Sequence, residues 1–115
     1  MAEPTLTLKD MTQGAVSVLA IAGELDAKTA PQLKAKLDAI VAGGVVKIVC
    51  DCAGLKYISS AGIGVLNAAL SACKAKGGDI ALAGVSKQIK DTLDVMYFTK
   101  KVRLFQKIAD AVNEL

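Results

Sequence analysis

Ile58-Ser59-Ser60-Ala61-Gly62-Ile63-Gly64-Val65-Leu66 follows Val45-Val46-Lys47-Ile48-Val49-Cys50-Asp51 after a short connection. These two stretches decide the fold. The upstream run has almost no polar alternation, the pattern of a strand covered on both faces. The downstream run opens an apolar helix with a pair of hydroxyls at its head. Orphan backbone N–H groups and the positive end of the helix dipole gather at such a place, which therefore tolerates an anion.

Around this unit the chain alternates. Thr5 to Lys9 and Ala15 to Ala22 read as strands joined by a turn at Met11-Thr12-Gln13-Gly14. Thr29-Ala30-Pro31-Gln32 has capping-box spacing, and Leu33, Leu37, Ile40 and Val41 recur at helical intervals, predicting a helix from Ala30 to Val41. Gly43-Gly44 stops it. Ala53-Gly54-Leu55-Lys56-Tyr57 reads as a loop before the serine-bearing helix, Ser60 to Lys76. Asp79 to Ala83 is a short strand. Ser86 is set to cap a third helix carrying Ile89 and Leu93 on one face. Val102 begins a last short strand, and a final helix runs from Leu104 to Asn113 with Phe105, Ile108, Ala109 and Val112 inward. The expectation is an α/β fold: a mixed sheet of four to five strands with about four helices packed on it, one domain over 1–115.

The 115 residues are 53% apolar but only 3% aromatic, so a core of Leu, Ile, Val and Ala is expected. The net charge of +3 comes from scattered lysines, without the dense basic and aromatic clusters of nucleic-acid grooves. Three cysteines and no histidine support neither a disulfide framework nor a zinc site. Met1-Ala2-Glu3-Pro4 shows no signal-peptide pattern, and no apolar run reaches membrane-spanning length. The chain is expected to be cytoplasmic, with no nucleic-acid or membrane partner and no cofactor.

Projected at about 100° per residue, the serine-bearing helix sorts into three arcs. Ile63, Leu66, Leu70 and Cys73 form an apolar arc. Asn67, Ser71 and Lys74 form a polar one. Ala61, Val65, Ala68, Ala69 and Ala72 form an apolar arc of small residues, which suits either close packing or a partner surface. Ser59 and Ser60 compete for the N-cap, and spacing alone is satisfied by capping. Asp26 and Asp51 end strands and suit turn formation. Lys87, Lys90, Lys100, Lys101 and Arg103 suit a solvated face. Gly62 and Gly64 lack the surrounding pattern of a phosphate-cradling loop.

Asp51-Cys52-Ala53-Gly54-Leu55-Lys56-Tyr57-Ile58-Ser59-Ser60-Ala61-Gly62-Ile63-Gly64-Val65-Leu66, with Gly23-Glu24-Leu25-Asp26 and Thr29-Ala30-Pro31, resembles the STAS family, and within it the stand-alone bacterial anti-sigma factor antagonists. The resemblance implies a partner switch. An antagonist of this kind binds an anti-sigma factor that is also an ATP-dependent serine kinase, and thereby frees a sigma factor. The kinase phosphorylates the antagonist, which lets go, and a protein phosphatase resets it. By motif position the acceptor is Ser60, with Ser59 the alternative. Asp26 and Asp51 match acidic positions beside the serine, and Asp26, Asp51, Tyr57, Ser59, Gly62 and Ile63 are the implied partner contacts. Two positions depart from the pattern: Ser59 stands where an Asp often precedes the acceptor, and Ala61 where a second Ser often follows. Tyr97 stands where a Gly often allows a left-handed helix end, so it implies a different ending or an aromatic contact surface.

Catalysis is not expected, because no nucleophile–base pair or metal constellation is evident. A never-phosphorylated adaptor subunit of a transport or signalling assembly, on the same fold, is the alternative.

Overall fold

A computed structural model describes residues 5–115, the side chain of Gln13 excepted, so Met1-Ala2-Glu3-Pro4 lies outside the described residues. The strands are β1 (Leu6–Gln13), β2 (Val16–Leu25), β3 (Lys47–Asp51), β4 (Leu55–Ile58), β5 (Asp79–Ala83) and β6 (Arg103–Phe105). The helices are α1 (Ala30–Ala42), α2 (Ser60–Ala75), α3 (Lys87–Val95) and α4 (Ile108–Glu114), with a single 3₁₀ turn at Phe98–Lys100. The sheet order is β1-β2-β3-β5-β6, and β4 pairs with β2 beyond the end of β3. Only the β1–β2 hairpin is antiparallel, closed by Gly14 at φ +65°. The other pairings are parallel and need crossovers, which α1, α2 and α3 supply.

Strand alternation divides the core into two layers. Leu19 and Ile21 of β2, Ile48 and Cys50 of β3, and Ile80 and Leu82 of β5 face α1, α2 and α3. Val16, Val18, Val49, Ala81 and Ala83 face the other way, where Ala111 of α4 closes over them. The apolar run Ile48-Val49-Cys50, buried throughout, thus reflects cover on both faces. Ile63, Leu66, Leu70 and Cys73 of α2 are all buried, as their spacing predicts. Burial of each large aliphatic side chain stabilises by about 1.5–3 kcal/mol.

Four expectations are corrected. Leu55–Ile58 is a strand, because its backbone finds the free edge at the end of β2, so the described sheet has six strands. The last helix begins at Ile108, since Arg103–Phe105 is taken up by pairing with β5; Ala109 is exposed and Ala111 is the buried residue. Thr29 makes no side-chain bond to the first turn of α1, because its hydroxyl is bound elsewhere (below). Tyr97 adopts the left-handed conformation itself, at φ +57°, so α3 ends as a glycine would end it. Ser86 does cap α3, its Oγ accepting from Ile89 N–H at 3.2 Å.

Two glycines of α2 differ sharply. A Cβ at Gly62 would stand 2.5 Å from Leu25 Cγ, and Leu25 is fully buried and cannot give way. A Cβ at Gly64 would meet nothing within 4 Å. Gly62→Ala should therefore lose roughly 1–2 kcal/mol, overpacking outweighing helix propensity. Gly64→Ala should gain roughly 0.5–1 kcal/mol from propensity alone. Urea midpoints of the two variants check this; the reverse order would refute the packing argument.

Candidate functional site

The head of α2 is built where two parallel strands end together. Ile58 pairs with Leu25. Ser59 N–H donates to the Leu25 carbonyl at 2.8 Å, and the Ser59 carbonyl accepts from Ile63 N–H at 3.0 Å. Ser59 is therefore both the last residue tied to the sheet and the N-cap of the helix, with extended backbone at φ −103°, ψ 172°. Its Oγ is buried and makes no hydrogen bond within the chain. Ser60 is the first helical residue, and its side chain is exposed. Neither hydroxyl caps the helix. The first turn carries no acidic residue either, so the positive end of the dipole has no counter-charge from its own helix.

Leu25 also fixes Asp26, the next residue, beside the serine pair. One oxygen of Asp26 accepts from Lys28 N–H at 2.9 Å and from Thr29 N–H at 3.0 Å. Thr29 Oγ1 accepts from Asp26 N–H at 2.9 Å and donates to the Glu24 carbonyl at 2.9 Å, which is why it is lost to α1. The Thr29 and Lys28 N–H groups hold the Asp26 carboxyl below its ordinary range. Asp26 is thus an ionised, rigidly oriented carboxylate.

The other expected contacts divide. Tyr57 is 49% exposed on β4 and stands clear of the core. Gly62 and Ile63 are buried: Gly62 packs on Leu25, and Ile63 is part of the core, so neither presents a side chain outward. Asp51 pairs with Ala20, five residues before Leu25 along β2, or roughly 16 Å at strand rise. It is not beside the serine; its carboxylate accepts from Ala53 N–H at 3.1 Å and shapes the turn into β4. What sequence reasoning missed is Leu25, which anchors the site through its carbonyl and its side chain. A single apolar residue at a strand end carries no signal of that role.

The small-residue arc of α2 lines a groove against α1, about 550 Å³ in volume, with Leu37, Val41, Gly64, Val65, Ala68 and Ala72 among its walls. The three thiols are buried and free. Burial pushes Cys52 up to about 12 and raises Cys50 and Cys73, which leaves them protonated and inert near neutrality. Among the described residues no helix is long and apolar enough to cross a membrane.

A mixed sheet with helices on both faces, presenting a serine-headed helix where its parallel strands end, defines a small α/β domain. The chain belongs to the STAS domain family, whose model matches residues 8–111. It is 29% identical over 111 residues to the anti-sigma-F factor antagonist RsfB of Mycobacterium tuberculosis, covering 95% of this chain and 87% of that one. Its fold is shared with an anti-sigma factor antagonist of Mycobacterium paratuberculosis (TM-score 0.87, 23% identity, 99% and 97% of the two chains covered). It is also shared with the Bacillus cell fate determinant SpoIIAA in its phosphorylated form (TM-score 0.73, 19% identity, 95% and 97% covered).

Two measurements test the site's geometry. Asp26 should titrate below the ordinary value of about 3.9 when its carboxyl carbon is followed by NMR. Because its folded value is depressed, its contribution to stability is full above the unfolded value and is lost as pH falls through the folded one. Titration at or above 3.9 would contradict the hydrogen bonds described. Ser59→Ala should cost less than about 0.5 kcal/mol, because no bond is lost, whereas Ser86→Ala should cost about 1 kcal/mol. Denaturation midpoints compare the two.

Proposed function

We propose that this chain, acting as one STAS domain over residues 1–115, is an anti-sigma factor antagonist switched by phosphorylation of Ser60. In the unmodified form it binds an anti-sigma factor that is itself a serine kinase, and so releases a sigma factor. Transfer of a phosphoryl group from the kinase's ATP to Ser60 Oγ ends that binding, and a protein phosphatase restores the hydroxyl. The chain itself is not an enzyme; the phosphoryl-transfer machinery belongs to its partners. The observation that carries this reading is the exposed hydroxyl of Ser60 at a helix head with no capping side chain. Ser59 is the poorer acceptor, because its Oγ is enclosed.

The energetics fit a switch that acts on an interface and leaves the fold alone. A phosphoserine adds about −1.5 to −2 charges. The dipole of α2 favours an anion there by about 0.3–1 kcal/mol, enough for the domain to hold the group without unfolding. The ionised Asp26 alongside opposes it. A partner surface shaped for a neutral hydroxyl would have to bury an unpaired dianion, at a cost of several kcal/mol, or roughly a thousandfold in affinity. Asp26 and Tyr57 extend the contact surface around Ser60.

Incubation with ATP and the cognate anti-sigma kinase should add the mass of one phosphate, and Ser60→Ala should abolish the gain. Ser60→Asp should weaken binding to the anti-sigma factor by roughly a hundredfold or more while leaving the circular dichroism spectrum unchanged. Modification at Ser59, or undiminished binding by Ser60→Asp, would overturn the assignment. A partner bound equally by every variant, with no phosphate gained, would favour the unphosphorylated adaptor.

A further inference from the structure

The end of α3 carries a feature that the switch at Ser60 does not use. Val95, Met96 and Tyr97 are 74%, 46% and 68% exposed, three of the five large hydrophobic residues exposed among those described, and they are consecutive. Tyr97 is also the one non-glycine residue at positive φ among the described residues. Its N–H closes the helix onto the Asp94 carbonyl at 3.0 Å. A glycine would make the same turn without strain and without an aromatic ring in water. The following residue, Phe98, is the one that turns inward and anchors the return to β6. Tyr97 therefore carries two costs, and inside the chain only Lys100, 5.6 Å over its ring, offsets them.

The charges around this knuckle are unbalanced. Asp91 is engaged by Lys87, and Asp94 by Lys90 and Thr99. Lys100 and Lys101 have no carboxylate partner among the described residues. We propose that Val95, Met96 and Tyr97, flanked by Lys100 and Lys101, form a second docking surface for an acidic, apolar-centred segment of a partner protein. Tyr97 is the aromatic anchor that enters between apolar side chains, and the two lysines meet carboxylates at the rim. An anionic bilayer fits less well: anionic-lipid sites gather roughly four to eight basic side chains, whereas Lys87 and Lys90 are taken by Asp91 and Asp94, which leaves Lys100 and Lys101. A second copy fits less well again, because each copy would bring the same positive surplus.

The test is a ¹⁵N–¹H NMR titration of the whole chain with a synthetic amphipathic helical peptide of Leu, Trp and Glu. Saturable shifts centred on residues 95–101 are expected, at least roughly tenfold weaker for Tyr97→Gly and for the Lys100→Glu, Lys101→Glu pair. Tyr97→Gly relieves strain, so its melting temperature should be unchanged or raised, which separates lost binding from lost fold. A Lys-for-Glu version of the peptide should not bind. Three results would overturn the proposal: no saturable shifts, or shifts centred elsewhere; Tyr97-dependent sedimentation with phosphatidylcholine–phosphatidylserine vesicles, which would make the surface a membrane contact; or concentration-dependent broadening at 95–101 without peptide, which would make it a self-association face.

Discussion

The hydrogen bond from Ser59 N–H to the Leu25 carbonyl is the constraint on which the site depends. It ends β4 and starts α2 at a single residue. It also brings the end of β2, with Asp26 one residue beyond, to the backbone of Ser59 at the head of the helix. The Leu25 side chain completes the joint by lying against Gly62, where no Cβ is tolerated. Such a joint fixes the direction of the first turn of α2 relative to the end of β2. Sites built on scaffold elements hold their geometry better than sites on free loops.

Much of the fold is legible in the residues because periodicity reports directly on burial. The continuously apolar stretch from Ala15 to Ala22 and the nearly unalternating run before Asp51 give the double-sided sheet, and Ser86 announces α3 through local chemistry alone. β4 was not legible, because Lys56 and Tyr57 both face water and its strand character comes from pairing with β2 across a register shift between Gly23 and Glu24. Thr29 misleads for a related reason: its spacing suits a capping box, but a carbonyl five residues earlier claims the hydroxyl. Such competition is settled by tertiary placement and leaves no mark on local pattern.

The site shows the same division. Ser60 is readable from its position before an apolar helix, and Asp26 from its position after a strand. That Ser59 Oγ is enclosed and Ser60 is exposed depends on a step of one residue, about 100° around the helix, which spacing does not resolve. Asp51 looks equivalent to Asp26 in sequence, yet the parallel register sets it several residues back along β2. Gly62 and Ile63 are informative in sequence for what they do inside the fold, where they hold the helix that carries the serine.

The two faces of the sheet are unequally roofed. Three helices cover one face, while the seven-residue α4 rests on the valines and alanines of the other, with Ala111 its one fully buried side chain. Besides Ala111 the cover is held by the part-buried Ile108, Val112 and Leu115 with Phe105 alongside, and an element with so few fully buried contacts belongs to the low end of local stability. The contacts of α4 belong to the layer of Val16, Val18, Val49, Ala81 and Ala83, separate from the layer that holds the joint at Leu25.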